Sequence, residues 1–332
     1  MKNCLILADL YINHEMMKDG FKKLEDEGYE LVIKDWYHDN LQALQDDNIK
    51  LEHEGSEAVE LPEEFLENLD QYEIIITQFA PIGKKVIDMA KNLKILGVLR
   101  AGTENVCVKY AQSKGIKVFN TMGRSNISVS EFTIGMILQE SRNIARANKS
   151  LKEGIWRKNF PNGTLPLSIK SSTIGLIGFG SIGKEVAKRL QVFGCNIIVY
   201  DKYQKEFDGF KNVEKDYLLE HSDIISMHAR LTEETKNLID YKDFDKMKSS
   251  AIVINTARSG LINEEALIDA LKEKKIASAA VDVFDVEPLP KEHPFTKLDN
   301  ITITSHIAGS TLDNFKDSPL ILVEDILKAI YE

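Results

Sequence analysis

The stretch that most narrows the fold is TIGLIGFGSIGKEVAKRLQ, residues 173–191. A short apolar segment ends in Gly178-x-Gly180-x-x-Gly183 and opens at once into a helical pattern. A strand, a glycine turn and a helix in that order fit a parallel sheet with crossover helices. Each glycine has a physical reason: Gly178 permits the tight turn, Gly180 lets backbone approach a pyrophosphate, and Gly183 lets the helix pack on the strand. The helix N-terminus then turns its N–H groups and dipole toward the phosphates. Asp201 ends the next strand pattern, 201 − 183 = 18 residues after the last glycine. An acid that binds an adenosine ribose is expected at roughly that offset, about 20 residues on. The reading is a dinucleotide site. An acid there repels a 2′-phosphate, so NAD is favoured over NADP, although Lys202 stands next to it.

The rest of the chain repeats the alternation. Five strand-like segments occur at 4–10, 29–35, 73–78, 94–100 and 116–121, with helical patterns between them such as KKVIDMAKN at 84–92. Six more lie at 172–178, 196–201, 223–228, 251–256, 278–284 and 300–306, the count of a full doubly wound nucleotide fold. Between the two runs the pattern predicts one amphipathic helix reaching about residue 148, with Ser128 as N-cap and Glu131 closing a capping box. From Thr311 on the pattern is helical again. A chain of 332 residues with 43% hydrophobic content suggests two domains with real cores.

A net charge of −10 argues against nucleic-acid or anionic-membrane partners, which want a basic face. Cys4, Cys107 and Cys195 are scattered and lack C-x-x-C spacing, which reads as reduced thiols in a cytoplasmic protein. No metal site is expected. No apolar run approaches the roughly 20 residues of a membrane span. The start, MKNCLILADL, reads as a buried strand and not as a signal peptide.

In an open α/β sheet, ligands bind outside the carboxyl ends of the strands. In the second run those ends carry the glycine loop, Asp201, His228, the stretch Asn255-Thr256-Ala257-Arg258, Asp282 with Glu287 beyond it, and His306. When a cofactor carries the hydride, a protein need only grip the substrate and move a proton. Arg258 offers a two-point grip on a carboxylate. His306 is the acid–base group suited to neutral pH, and Glu287 could hold its other ring nitrogen. Taken singly, each has a plain structural alternative: a satisfied histidine, an arginine paired with Glu264, a solvated loop acid.

The runs GLIGFGSIGKEVAKRL, INTARSGLINEEAL, VDVFDVEPLP and SHIAGST resemble the D-isomer-specific 2-hydroxyacid dehydrogenase family, which includes phosphoglycerate dehydrogenase. The resemblance implies that Arg258, Glu287 and His306 form the catalytic set. It implies that Asp282 meets the nicotinamide carboxamide. Ser181, Ile182, Asp201, Thr256, Ala257, Arg258 and His306 to Gly309 match cofactor contacts, and His228, Ala229 and Arg230 are placed with them. It implies an α/β chain of two doubly wound domains. A Rossmann NAD-binding domain (125–307) would be inserted into a flavodoxin-like substrate domain (1–124 and 308–332), with a homodimer formed through the former.

The expected substrate is a small 2-oxo or 2-hydroxy acid, touched by Gln78, Phe79, Arg100, Ala101 and Gly102 as well as Arg258. The chain departs from the phosphoglycerate dehydrogenases at three places. Glu104-Asn105-Val106 is shorter by a glycine, Thr77-Gln78-Phe79 replaces an arginine-bearing strand end, and Arg230 stands where proline is usual. A phosphate would miss that arginine. Two other readings are open: an NAD(H)-binding sensor or co-repressor-like module without turnover, and a formate- or phosphite-type dehydrogenase. The pairing of Glu287 with His306 speaks against the formate type.

Overall fold

The computed structural model of the chain describes residues 2–163, 165–204 and 206–331. The chain divides into two compact units, residues 1–125 with 311–332, and residues 126–310.

The first unit alternates β1 (Lys2–Ala8), α1 (His14–Asp26), β2 (Tyr29–Asp35), α2 (Leu41–Glu54), α3 (Glu63–Leu66), β3 (Tyr72–Thr77), α4 (Lys84–Met89), β4 (Ile95–Val98), α5 (Val108–Ser113) and β5 (Lys117–Asn120). All strand pairs are parallel, in the order β2-β1-β3-β4-β5. That is the flavodoxin order, with its switch point between β1 and β3. β1 reads KNCLILA, and from Cys4 to Ala8 it has no polar residue because both faces of the sheet are covered there. Leu5 and Leu7 join one core with Ile75, Leu96 and Leu44; Cys4 and Ile6 join the other with Ile74, Ile76 and Phe21. The second core is closed by the C-terminal helix α12 (Leu312–Tyr331) through Leu322, Val323 and Ile326. α1 meets α12 at Gly20, where a Cβ would stand 2.2 Å from the Pro319 side chain, so only glycine allows this approach.

The second unit runs α6 (Asn126–Ser141), α7 (Ile144–Lys152), β6 (Thr173–Ile177), α8 (Ser181–Gln191), β7 (Asn196–Tyr200), β8 (Lys211–Asn212), α9 (Lys215–His221), β9 (Ile224–Met227), α10 (Tyr241–Phe244), β10 (Ile252–Asn255), α11 (Glu264–Lys272), β11 (Ser278–Val281) and β12 (Ile301–Ile303). Its parallel sheet is ordered β12-β11-β10-β9-β6-β7-β8. The order reverses between β6 and β9, which sets a crevice at the carboxyl end of β6. The sheet has seven strands where the sequence pattern gives six. The extra one, Lys211–Asn212, is an exposed two-residue edge with no apolar signature.

The predicted helix to residue 148 is two helices. α6 starts at Asn126, so Ser128 is a buried residue inside it rather than at its N-cap, while Glu131 pairs with Arg189 at 3.6 Å. Asn143 takes a left-handed φ of +56° and breaks the run. The break lets Arg146 fold back to within 2.6 Å of Glu140, whose other oxygen accepts from Thr302 Oγ on β12 at 2.6 Å. Glu140 is fully buried, and a buried carboxylate needs such partners. Sequence periodicity alone cannot show this exchange of helix continuity for a satisfied charge.

Candidate functional site

The glycine loop is shaped by two demands. Gly178 has φ +99°, and a Cβ on it would come 2.3 Å from the backbone N of Ala229. Its bareness therefore serves the neighbouring β9 loop as well as the turn. Gly183 lies in the first turn of α8, where a Cβ would come 2.4 Å from the Gly178 carbonyl oxygen. Gly180 is different: it caps α8 with no side chain, and a Cβ there would meet nothing within 4 Å. Protein packing does not ask for glycine at 180. A phosphate lying against the amides at the start of α8 does, so the loop fits the dinucleotide.

Asp201, just past β7, braces this loop. One oxygen accepts from the Phe179 N–H at 2.7 Å; the other accepts from Tyr203 and Gln204 at 2.8 and 2.9 Å. A carboxylate offers about four acceptor positions, so about one is left for a ribose hydroxyl. Lys202 is held by Glu234 at 2.8 Å. Arg230 is exposed beside the same crevice.

Two expected rim groups are enclosed. His228 is not an acid–base candidate. Its Nε2 bonds Ser226 Oγ at 2.9 Å, its Nδ1 is enclosed without a partner, and burial pushes its pKa down to about 4. What remains at the rim is the His228–Ala229 backbone, against which Gly178 packs. Asp282, expected at the nicotinamide carboxamide, has its carboxylate held from within the second unit. It is fully buried and accepts from Thr304 Oγ at 2.6 Å and from the Ile307 and Ala308 N–H groups at 3.0 and 2.8 Å. It shapes the turn that carries His306. Ala308 and Gly309 accordingly belong to the second unit, since the division falls after Ser310.

β12 stops at Ile303, and His306 sits three residues beyond it in a left-handed conformation, φ +53°. Its Nδ1 lies 2.7 Å from Glu287 Oε2. A carboxylate only accepts, so Nδ1 carries hydrogen and Nε2 is the working nitrogen. Glu287 Oε1 accepts from the Phe284 N–H at 2.9 Å. The bond to Glu287 raises the His306 pKa above its ordinary value, against desolvation and the positive charge of Arg258. Arg258 extends from the β10 loop. Its carbonyl accepts from Asn255 Nδ2 at 3.0 Å, and its guanidinium bonds the Ala257 carbonyl at 2.8 Å. Thr256, on the same loop, is held by Thr133 of α6 at 2.7 Å. Successive parallel strands thus bring a guanidinium, an imidazole and its carboxylate partner to the same edge as the glycine loop.

In the first unit, Gln78 is fully buried and neither polar atom of its amide has a partner among the described residues. Phe79 is buried beneath the Arg100 guanidinium, 5.1 Å from ring centroid to Cζ. Arg100 is itself buried, bonded to Asn48 at 2.6 Å and to Glu52, with Glu104 at 3.7 Å. Of these expected substrate contacts, Phe79 and Arg100 are engaged inside the unit, because a buried guanidinium needs its own counter-charges. Ala101 is exposed and Gly102 half-buried, and their amide N–H groups find no acceptor among the described residues. The side-chain brace of Arg100 escaped the sequence reading, since α2 lies some fifty residues away.

Comparison with known proteins converges on one family. The family model for the NAD-binding domain of D-isomer specific 2-hydroxyacid dehydrogenases matches residues 134–308. A D-3-phosphoglycerate dehydrogenase of Archaeoglobus fulgidus is 40% identical over 271 residues, 80% of this chain and 51% of that protein. A hydroxypyruvate reductase of Thermotoga maritima is 40% identical over 272 residues, 81% of this chain and 88% of that one. The chain thus spans about half of the former. A solved Thermus thermophilus structure superposes with a TM-score of 0.77 at 27% identity, covering 99% of this chain and 97% of that one.

Proposed function

The chain belongs to the D-isomer specific 2-hydroxyacid dehydrogenase family, and from that premise we propose that it is an NAD-dependent oxidoreductase interconverting a small 2-oxo acid and its 2-hydroxy acid. The observation that carries this is the Glu287–His306 pair at 2.7 Å, on the strand-end edge that also holds Arg258 and the open Gly180. NAD(H), when bound, supplies or takes the hydride. Arg258 holds the substrate carboxylate through a charge-assisted fork. In reduction, protonated His306 gives the Nε2 proton to the carbonyl oxygen as it becomes hydroxyl. In oxidation the neutral ring takes that proton back. Glu287 fixes the tautomer and stabilises the imidazolium.

Within the first unit, the amides of Ala101 and Gly102, and not the buried Arg100 side chain, are the groups suited to an acid. With Arg100 already neutralised by Glu52 and Glu104, and Gln78 in place of a cation, the favoured substrates are unphosphorylated. Glyoxylate and hydroxypyruvate, named in relatives, are the first to try. The protein is proposed to be a homodimer. Its three free thiols fit a cytoplasmic location, and no helix among the described residues is long and apolar enough to cross a membrane.

His306→Ala tests the reading. It should leave NADH binding unchanged and lower kcat on glyoxylate or hydroxypyruvate about 100-fold or more. Full turnover in that variant overturns the assignment, and NADH binding by the wild-type protein without turnover on any 2-oxo acid favours the sensor instead.

A further inference from the structure

The acid–base pair depends on a loop with no regular structure of its own between Val281 and the 3-10 turn at Pro294–Lys297. Two carboxylates hold its start. The Phe284 N–H donates to Glu287 Oε1, and the next amide, Asp285, donates to Glu264 Oε2 at 3.2 Å. Glu264 stands in the first turn of α11, and its other oxygen accepts from His293 Nε2 at 3.0 Å. His293 Nδ1 accepts from the Phe295 N–H at 3.3 Å, so the ring hydrogen is on Nε2 and directed at Glu264. Both side chains are largely enclosed, at 14% and 16% exposure. The His293 ring packs on Phe295, which in turn meets Phe284. One helix-borne carboxylate therefore ties the first residues of the loop to its last, with Glu287 between. Glu264 is also committed away from Arg258, leaving that guanidinium to the substrate.

We propose that Glu264 and His293 form a positioning pair for the reaction: by closing the 284–293 loop they fix where Glu287 meets His306, and so set how firmly that imidazole holds its proton. The inference rests on the acid–base reading of His306. The charged groups acting on His306 are Glu287, Arg258 and Asp282, and only the first rides on the braced loop. Loosening the brace therefore weakens the proton-holding bond and leaves the other two charges in place.

The test follows the His306 titration by NMR in the full-length protein, beside kcat/KM for 2-oxo acid reduction against pH. The variants are His293→Ala, Glu264→Ala and His293→Gln. The alanine variants should lower the His306 midpoint and move the alkaline limb of reduction down by about one pH unit. That is about tenfold in kcat/KM at a pH above both limbs. NADH affinity should not change. His293→Gln, whose amide still donates to Glu264, should return most of the effect, which a purely structural histidine would not explain. If the alanine variants do not fold, Glu264→Gln replaces them: one accepting oxygen then serves two donors, and the midpoint must fall. An unmoved midpoint, with only a lower melting temperature, overturns the proposal. Failure of the underlying reading looks different: Glu287→Gln would leave the midpoint in place too, or His306→Ala would turn over normally.

Discussion

At the scale of single residues, the second ionisable group with a clear consequence is Asp9, just beyond β1. It is buried, with one oxygen accepting from the Tyr11 and Ile12 N–H groups and the other enclosed without a partner. Desolvation raises its pKa from 3.8 to about 6, although backbone hydrogen bonds and the nearby Arg124 pull the other way. Burial likewise lowers Arg124 to about 10. Between the two Asp9 values the folded chain binds more protons than the unfolded one, so stability falls as pH rises through that window. The full loss from this group is up to about 3 kcal/mol. Asp9→Asn keeps the acceptor for Tyr11 and Ile12 and removes the charge. Its melting temperature should exceed that of the parent at pH 8 and match it near pH 4; a gain that does not change with pH would contradict the assignment.

At the scale of the element, the loop between β6 and α8 separates two uses of glycine that look alike in the sequence. Gly178→Ala places a methyl against the Ala229 backbone at a positive φ, so it should destabilise the second unit by about 2 kcal/mol or more. Gly180→Ala has open space around its Cβ and an ordinary φ of −72°. It should melt like the parent and bind NADH at least about tenfold more weakly, seen by fluorescence titration. Equal melting temperatures for both variants would dissolve the distinction. The turn after β12 makes the same point: Ile301 to Ile303 are legible as a strand, while the buried Asp282 and left-handed His306 that redirect the chain afterwards are not.

At the scale of the molecule, large apolar side chains crowd the surface of one stretch of the second unit. Ile144, Leu151, Ile155, Trp156, Leu165 and Leu167 are exposed, Trp156 at 77% and Leu165 at 94%. A water-facing indole with leucines and isoleucines in one segment fits an association surface. Sedimentation should give a dimer for the parent chain, and Trp156→Glu with Leu165→Glu should shift it toward monomer without lowering the melting temperature at equal monomer content. A parent chain that sediments as a monomer at micromolar concentration would end the homodimer proposal.

The sequence by itself determined the parallel α/β architecture, the glycine loop and the set of chemical groups at the strand ends. Those follow from local pattern: apolar runs of strand length, helical periodicity and glycine spacing, each encoded by neighbours in the chain. Only the tertiary structure decided which of those groups turn outward. His228, Asp282, Gln78 and Arg100 all stand at or just past strand ends, yet all four are enclosed: Ser226 holds His228, Thr304 and two amides hold Asp282, Asn48 and Glu52 hold Arg100, and the Gln78 amide is buried with no partner among the described residues. His306 stays part exposed because Glu287 satisfies one nitrogen and leaves the other free. The direction of a side chain is fixed by partners distant in sequence, and no local pattern records them.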